Sequence, residues 1–210
     1  MKLNKKSKTL HLVQLAMLIA IIAVLQFTGA SIPIGLVPLT FVLIPIVVGA
    51  FLLGPVDGAI LGFVFGLITV IQTPQNNILM FLFNYRPVTY IILAILKATM
   101  AGFLSGLIYK ALDKAFKGKL IYLRTLLASI TAPIINTGIF ALGMMMFFIP
   151  QLAAIPANFP NIFGGYSSAL GVLFGGFILF NFIGEFLVSL VLSPAIVRIV
   201  EIVRKKFIVK

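Results

Sequence analysis

Six long apolar runs dominate this 210-residue chain: Leu10–Ala30, Leu36–Leu53, Ala59–Ile71, Val88–Tyr109, Ile121–Ile149 and Ala169–Val197. Most approach the roughly 20 residues needed to cross about 30 Å of hydrocarbon as a helix; the third is short and would have to borrow residues from its flanking loops. With 61% hydrophobic and only 10% charged residues, the chain is too apolar for a soluble domain of this length. The runs predict an all-α integral membrane protein, a single domain over residues 1–210, with six transmembrane helices.

The basic residues set the expected orientation. If the six runs span, fourteen of the sixteen Lys and Arg fall on one side: Lys2, Lys5, Lys6 and Lys8 in the N-terminal tail; Lys110, Lys114, Lys117, Lys119 and Arg124 in the fourth connection; Arg198, Arg204, Lys205, Lys206 and Lys210 at the C-terminus. Short loops rich in Lys and Arg stay cytoplasmic, so both termini are expected to be cytoplasmic. Arg86 and Lys97 are the two exceptions. The net charge of +12 therefore reflects helix ends beside anionic headgroups of the lipid bilayer, not an aromatic-lined groove for nucleic acid. The first run follows a basic start as a signal peptide would, but it is long and leads into further spans; it reads as a retained helix.

Polar residues at membrane depth point to protein interior or to a water-filled cavity. One cluster, Gln72-Thr73-Pro74-Gln75-Asn76-Asn77 with Asn84-Tyr85-Arg86-Pro87, flanks the apolar stretch Ile78–Phe83 on the expected outer side and reads either as a surface loop or as a flap dipping into the membrane face. Asn136 follows Pro133, which removes a backbone donor from the fifth run, leaving the amide to serve a ligand or the freed carbonyl. Asn181 and Glu185 are four residues apart and share a helix face. Glu185 is the sole carboxylate expected deep in the bilayer, with mid-span Lys97 as its alternative structural partner.

Small residues at four-residue spacing mark close helix contacts. Gly58, Gly62 and Gly66 form one stripe, Gly102 and Gly106 another, Gly171 and Gly175 a third. Ala16 and Ala20 repeat the spacing on the first helix.

Several classes are disfavoured. The acids number four, Asp57, Asp113, Glu185 and Glu201, with one His, His11, and no Cys, which leaves no clustered acid, metal-ligand or thiol set for an enzyme or a metal site. Asp57, Asp113 and Glu201 read as solvated charges. No phosphate-binding loop of the form G-x-x-x-x-G-K-[ST] occurs, and no cofactor is expected. A stand-alone secondary transporter would be expected to show inverted repeats or intramembrane proton relays, and no convincing duplication is evident.

The order of a basic tail, a first helix with Ala16-Met17-Leu18-Ile19-Ala20, the run Pro38–Leu53, the turn Leu53-Gly54-Pro55 and then Gly58-Ala59 with Gly62-Phe63-Val64-Phe65-Gly66-Leu67 resembles the substrate-binding (S) component of an energy-coupling factor (ECF) vitamin transporter. The Asn136-Thr137 stretch and the Arg86-Pro87 entry are similar to the group handling pantothenate, pyridoxine and hydroxymethylpyrimidine. The resemblance implies a high-affinity vitamin-binding subunit of an ABC-type importer in a bacterial cytoplasmic membrane. It implies a pocket built by the last three helices under the outer loops, and partners in the form of a transmembrane coupling (T) subunit and two cytoplasmic ATPases. Ala16 and Ala20 match the family's Ala-x-x-x-Ala docking motif. The substrate-binding candidates are Arg86, Asn84, Tyr85, Asn136, Asn181 and Glu185. Pantothenate has one carboxylate, so Arg86 is the expected bidentate clamp; pyridoxine or hydroxymethylpyrimidine would rely instead on Glu185 and aromatic rings.

Overall fold

The computed structural model describes residues 5–28, 31–32, 39–117 and 120–203. Lys2, Lys119, Arg204, Lys205, Lys206 and Lys210, the end of the first run and the start of the second lie outside these residues. Among the described residues the chain is helical apart from a two-residue antiparallel pair, β1 (Ser31–Ile32) with β2 (Leu39–Thr40), which joins α1 (Lys5–Phe27) to α2 (Leu43–Leu52). Then follow α3 (Pro55–Gln72), a 3-10 turn (Thr73–Gln75), α4 (Asn77–Tyr85), α5 (Pro87–Ala115), α6 (Ile121–Phe147), α7 (Ile149–Asn158) and α8 (Pro160–Phe163). The last apolar run begins as α9 (Ala169–Gly171), passes through a π-helical stretch (Val172–Ile178) and continues as α10 (Leu179–Val203).

Among the described residues, five helical segments are long and apolar enough to cross a membrane: Lys8–Phe27, Pro55–Gln75, Pro87–Ala115, Ile121–Phe147 and Ala169–Val203. The second run differs from expectation. Its helix α2 has 10 residues, or about 15 Å, because Leu39–Thr40 is drawn into β2 and Gly54 stops the chain at φ 121°, a backbone angle that favours glycine. The short third run does borrow from both flanks: α3 opens with Pro55 at its first position, where the missing N–H costs nothing, and runs on into the 3-10 turn. The fifth run breaks at Phe148, and α7 and α8 follow as short helices.

α3 and α5 form the central pair, and the glycine stripes explain why. A Cβ on Gly58 would sit 2.6 Å from Ala50 Cβ and 2.5 Å from the Gly102 carbonyl, one on Gly66 would sit 2.7 Å from Ile95 Cα, and one on Gly106 would meet Pro55 Cα at 2.8 Å. Only hydrogen at these positions lets the backbones approach, which is how helices associate where lipid removes the hydrophobic drive. Gly171 and Gly175 are different: their neighbours are Ser168 and the Tyr166 ring, within the same segment.

Among the described residues, three apolar clusters surround this pair. One joins α1, α2, α3 and α5 around Ile22, Ile46 and Leu61; a second joins α2, α5, α6 and α10 around Phe51, Tyr109 and Ile196. The third is a cap, in which Ile78 and Leu82 of α4 pack with Phe148, Leu152, Ile155, Phe163, Leu173 and Phe177. The stretch expected as a loop or flap is thus a helix. Asn76 starts it by accepting hydrogen bonds from Ile78 N and Leu79 N at 3.0 Å each.

Two expected solvated acids are paired. Asp57 is buried and lies 3.1 Å from His11 Nε2. Asp113 forms an ion pair with Arg124, which belongs to α6 and is buried, its guanidinium 5.4 Å from the Tyr109 ring centroid; Tyr109 in turn stacks on Phe51 at 4.1 Å. This cluster closes the end of the bundle opposite the cap.

Candidate functional site

A cavity of about 310 Å³ lies beneath the cap, within the range of small-molecule sites. Every wall comes from the same end of the bundle. α3 gives Phe65, Thr69 and Gln72 from its last turns; α5 gives Tyr90, Leu93, Ala94 and Lys97 from its first half; α6 gives Asn136, Thr137, Phe140 and Met144 from its second half. Phe177 of the π-helical stretch and Asn181 and Glu185 of α10 complete one side, and Gln26 of α1, Gln75, Asn76 and Leu79 close the rest. Lys8, Lys110, Lys114, Lys117, Arg124 and Arg198 occupy the other ends of these helices. Lys97 is ten residues into α5 from Pro87, about 15 Å below the helix start.

The local sequence explains why polar groups converge here. Each lining pair is spaced three or four apart on a helix, so Tyr90, Leu93, Ala94 and Lys97 share one face of α5, Asn136, Thr137 and Phe140 one face of α6, and Asn181 and Glu185 one face of α10. Pro133 does not break α6, which is continuous through Phe147. The Asn136 amide therefore turns across to α10, where Nδ2 donates to Glu185 Oε2 at 3.4 Å. The π-helical stretch just above Asn181 widens the last helix, a departure often found beside functional sites. At the top, Thr73 Oγ1 donates to Tyr90 Oη at 3.3 Å, tying the 3-10 turn to α5.

Among the described residues, charge in the wall comes from two side chains, Lys97 and Glu185. Lys97 Nζ lies 4.6 Å from the Phe140 ring centroid, an attractive cation–π placement. Three further polar atoms of lining residues are buried with no hydrogen-bond partner among the described residues: Gln26 Oε1, Asn136 Oδ1 and Thr137 Oγ1. A buried polar group without a partner is costly, by about 1–3 kcal/mol, so three beside one cavity point to a guest that satisfies them. The wall thus offers one cation, one carboxylate, at least two amide acceptors and an aromatic lining of Phe65, Tyr90, Phe140 and Phe177.

The sequence profile of the family described as ECF transporter, substrate-specific component matches residues 10–197. The chain belongs to that family. No curated protein matches the sequence. Membership makes this a membrane protein with the substrate-specific role in an ECF transport system, and it agrees with the five membrane-length helices.

Within this S component the candidate residues divide. Asn136, Asn181 and Glu185 line the cavity together. Asn84, Tyr85 and Arg86 do not: all three are exposed, at the end of α4 and the start of α5, and the Arg86 guanidinium rests 5.3 Å from the Tyr85 ring centroid. Arg86 sits one helical turn beyond Tyr90, whose N–H donates to the Arg86 carbonyl at 3.0 Å. Lys97, not Arg86, supplies the cation in the cavity wall. Gln26, Thr69 and Tyr90 were not among the candidates; Gln26 carried a signal as an amide inside an otherwise apolar stretch. Ala16 and Ala20 are exposed on the side of α1 turned away from the bundle, while Leu15, Leu18, Ile19 and Ile22 pack inward.

Proposed function

We propose that this S component binds pantothenate with high affinity in the cavity beneath the cap and delivers it to a coupling (T) subunit driven by two separate ATPases. The reading places the cap outside and the basic ends inside a bacterial cytoplasmic membrane, with both termini cytoplasmic and α2 joining the five longer segments to make six spans. ATP hydrolysis falls to the partners, and the S component has no catalytic role of its own. It docks through the Ala16 and Ala20 face of α1.

The observation that carries the choice of substrate is the pairing of one ammonium with several acceptors in one wall. Lys97 suits a single carboxylate as a compact point charge, and Glu185, Asn136 Oδ1 and Asn181 suit the hydroxyl and amide donors of the same molecule. The aromatic lining favours a second reading, pyridoxine or hydroxymethylpyrimidine, in which a ring stacks against Phe140 or Phe177 and Glu185 faces the ring nitrogen.

Calorimetric titration of the detergent-purified chain, grown without vitamins, tests both. Tight binding of pantothenate over the two ring compounds supports the first reading; the reverse preference supports the second. Uptake by the purified chain alone in liposomes would contradict the dependence on partners.

A further inference from the structure

α1 is attached to the bundle by a single face. Leu15, Leu18, Ile19, Ile22, Ala23 and Leu25 pack inward, whereas Met17 and Val24 are 60% and 58% exposed. Polar ties hold its two ends. Near the start, His11 meets Asp57 of α3. Near the end, Gln26 Nε2 donates to Gln72 Oε1 at 2.7 Å, and Gln72 Nε2 donates back to the Gln26 backbone carbonyl at 2.9 Å.

This reciprocal pair fixes which way the Gln26 amide faces. Turning it over would set its oxygen against the Gln72 oxygen and lose a hydrogen bond, so Nε2 is committed to Gln72 and Oε1 is left as the free acceptor. Gln26 and Gln72 both line the cavity, and Gln26 Oε1 is buried with no partner among the described residues. We propose that Gln26 is a substrate-contacting residue: its Oε1 accepts a hydrogen bond from a hydroxyl or amide N–H of the ligand, Gln72 is the positioning residue that aims it, and an occupied cavity thereby fastens the end of α1 to α3. The proposal rests on the cavity being the substrate site. It adds that α1, the helix that also carries Ala16 and Ala20, registers whether the site is filled. A ligand with hydroxyl or amide donors closes a chain of bonds from α10 through the cavity to α1; one without donors leaves Gln26 Oε1 buried and unsatisfied.

The test combines calorimetry with hydrogen–deuterium exchange on the full-length chain in detergent, with pantothenate, pyridoxine and hydroxymethylpyrimidine as probes. Saturating wild type with whichever probe binds should slow exchange in residues 22–28. Gln26→Leu should weaken binding about tenfold or more and abolish that protection even at saturation. Asn136→Ala should weaken binding by a similar factor but keep the protection of α1 once saturated, since it leaves Gln26 and Gln72 intact. Wild-type binding with unchanged exchange in α1, or Gln26→Leu binding at wild-type affinity, would overturn the proposal while the cavity reading stands. Failure of wild type to bind any of the three would overturn the cavity reading and this proposal with it.

Discussion

Replacing Lys97 by Met removes the cavity's ammonium while keeping an unbranched stem that can still lie against Phe140. Two effects should follow, and they separate cleanly. A hydrogen bond to a charged partner contributes about 1.5–3 kcal/mol, so pantothenate affinity should fall roughly 10- to 150-fold. Glu185 is buried in the same wall, so losing Lys97 also leaves that carboxylate without the wall's one cation, and stranding one charge of a buried pair costs about 3–5 kcal/mol of stability. The double variant Lys97→Met with Glu185→Gln restores neutrality and should regain most of the lost stability without regaining affinity. Calorimetry and thermal unfolding in detergent read the two quantities on the same samples. Lys97→Met binding pantothenate within twofold of wild type would refute the role given to Lys97, and affinity recovered in the double variant would show that the loss was only structural.

Three further outcomes follow from the geometry. Gly62→Val should destabilise the protein by at least about 1–3 kcal/mol, because the new Cβ lies 2.7 Å from the Ala98 carbonyl carbon and neither backbone can yield, whereas Gly138→Ala, with nothing within 4 Å, should be neutral or stabilising by up to about 1 kcal/mol; thermal unfolding checks both. Arg86→Ala should change equilibrium affinity less than about threefold, since the side chain is exposed and outside the cavity lining; calorimetry showing a collapse would return Arg86 to the clamp role. Ala20→Trp should abolish uptake by the assembled transporter while leaving vitamin binding intact, and loss of binding would count against a docking role for that face.

The sequence exposed what depends on hydrophobicity and on small residues. The long apolar runs located five membrane-length helices, and the spacing of Gly58, Gly62 and Gly66 anticipated the α3–α5 seam. Asn136, Asn181 and Glu185 were legible because amides and acids inside apolar helices face the interior. What stayed hidden depended on the third dimension. Arg86 looked suited to a ligand from its place in the chain, but α5 starts at Pro87 and the cavity lies turns below, so Lys97 reaches the wall and Arg86 does not. Gln26 stands out in the sequence only as an amide in an apolar stretch; which way its amide faces depends on Gln72, 46 residues away. The second run reads as one continuous helix, yet Gly54 and the β2 pairing limit its helical part to ten residues. The pairing of Asp113 with Arg124 likewise depends on α5 and α6 packing side by side, which charge patterning along one chain does not encode.

An experimental structure of the chain with pantothenate bound is the most direct test of the cavity as the vitamin site. The expected result is the vitamin beneath α4 and α7, its carboxylate about 3 Å from Lys97 Nζ and its donors on Asn136 and Glu185. Pantothenate seated against Arg86 at the exposed start of α5, with the cavity unfilled, would contradict it.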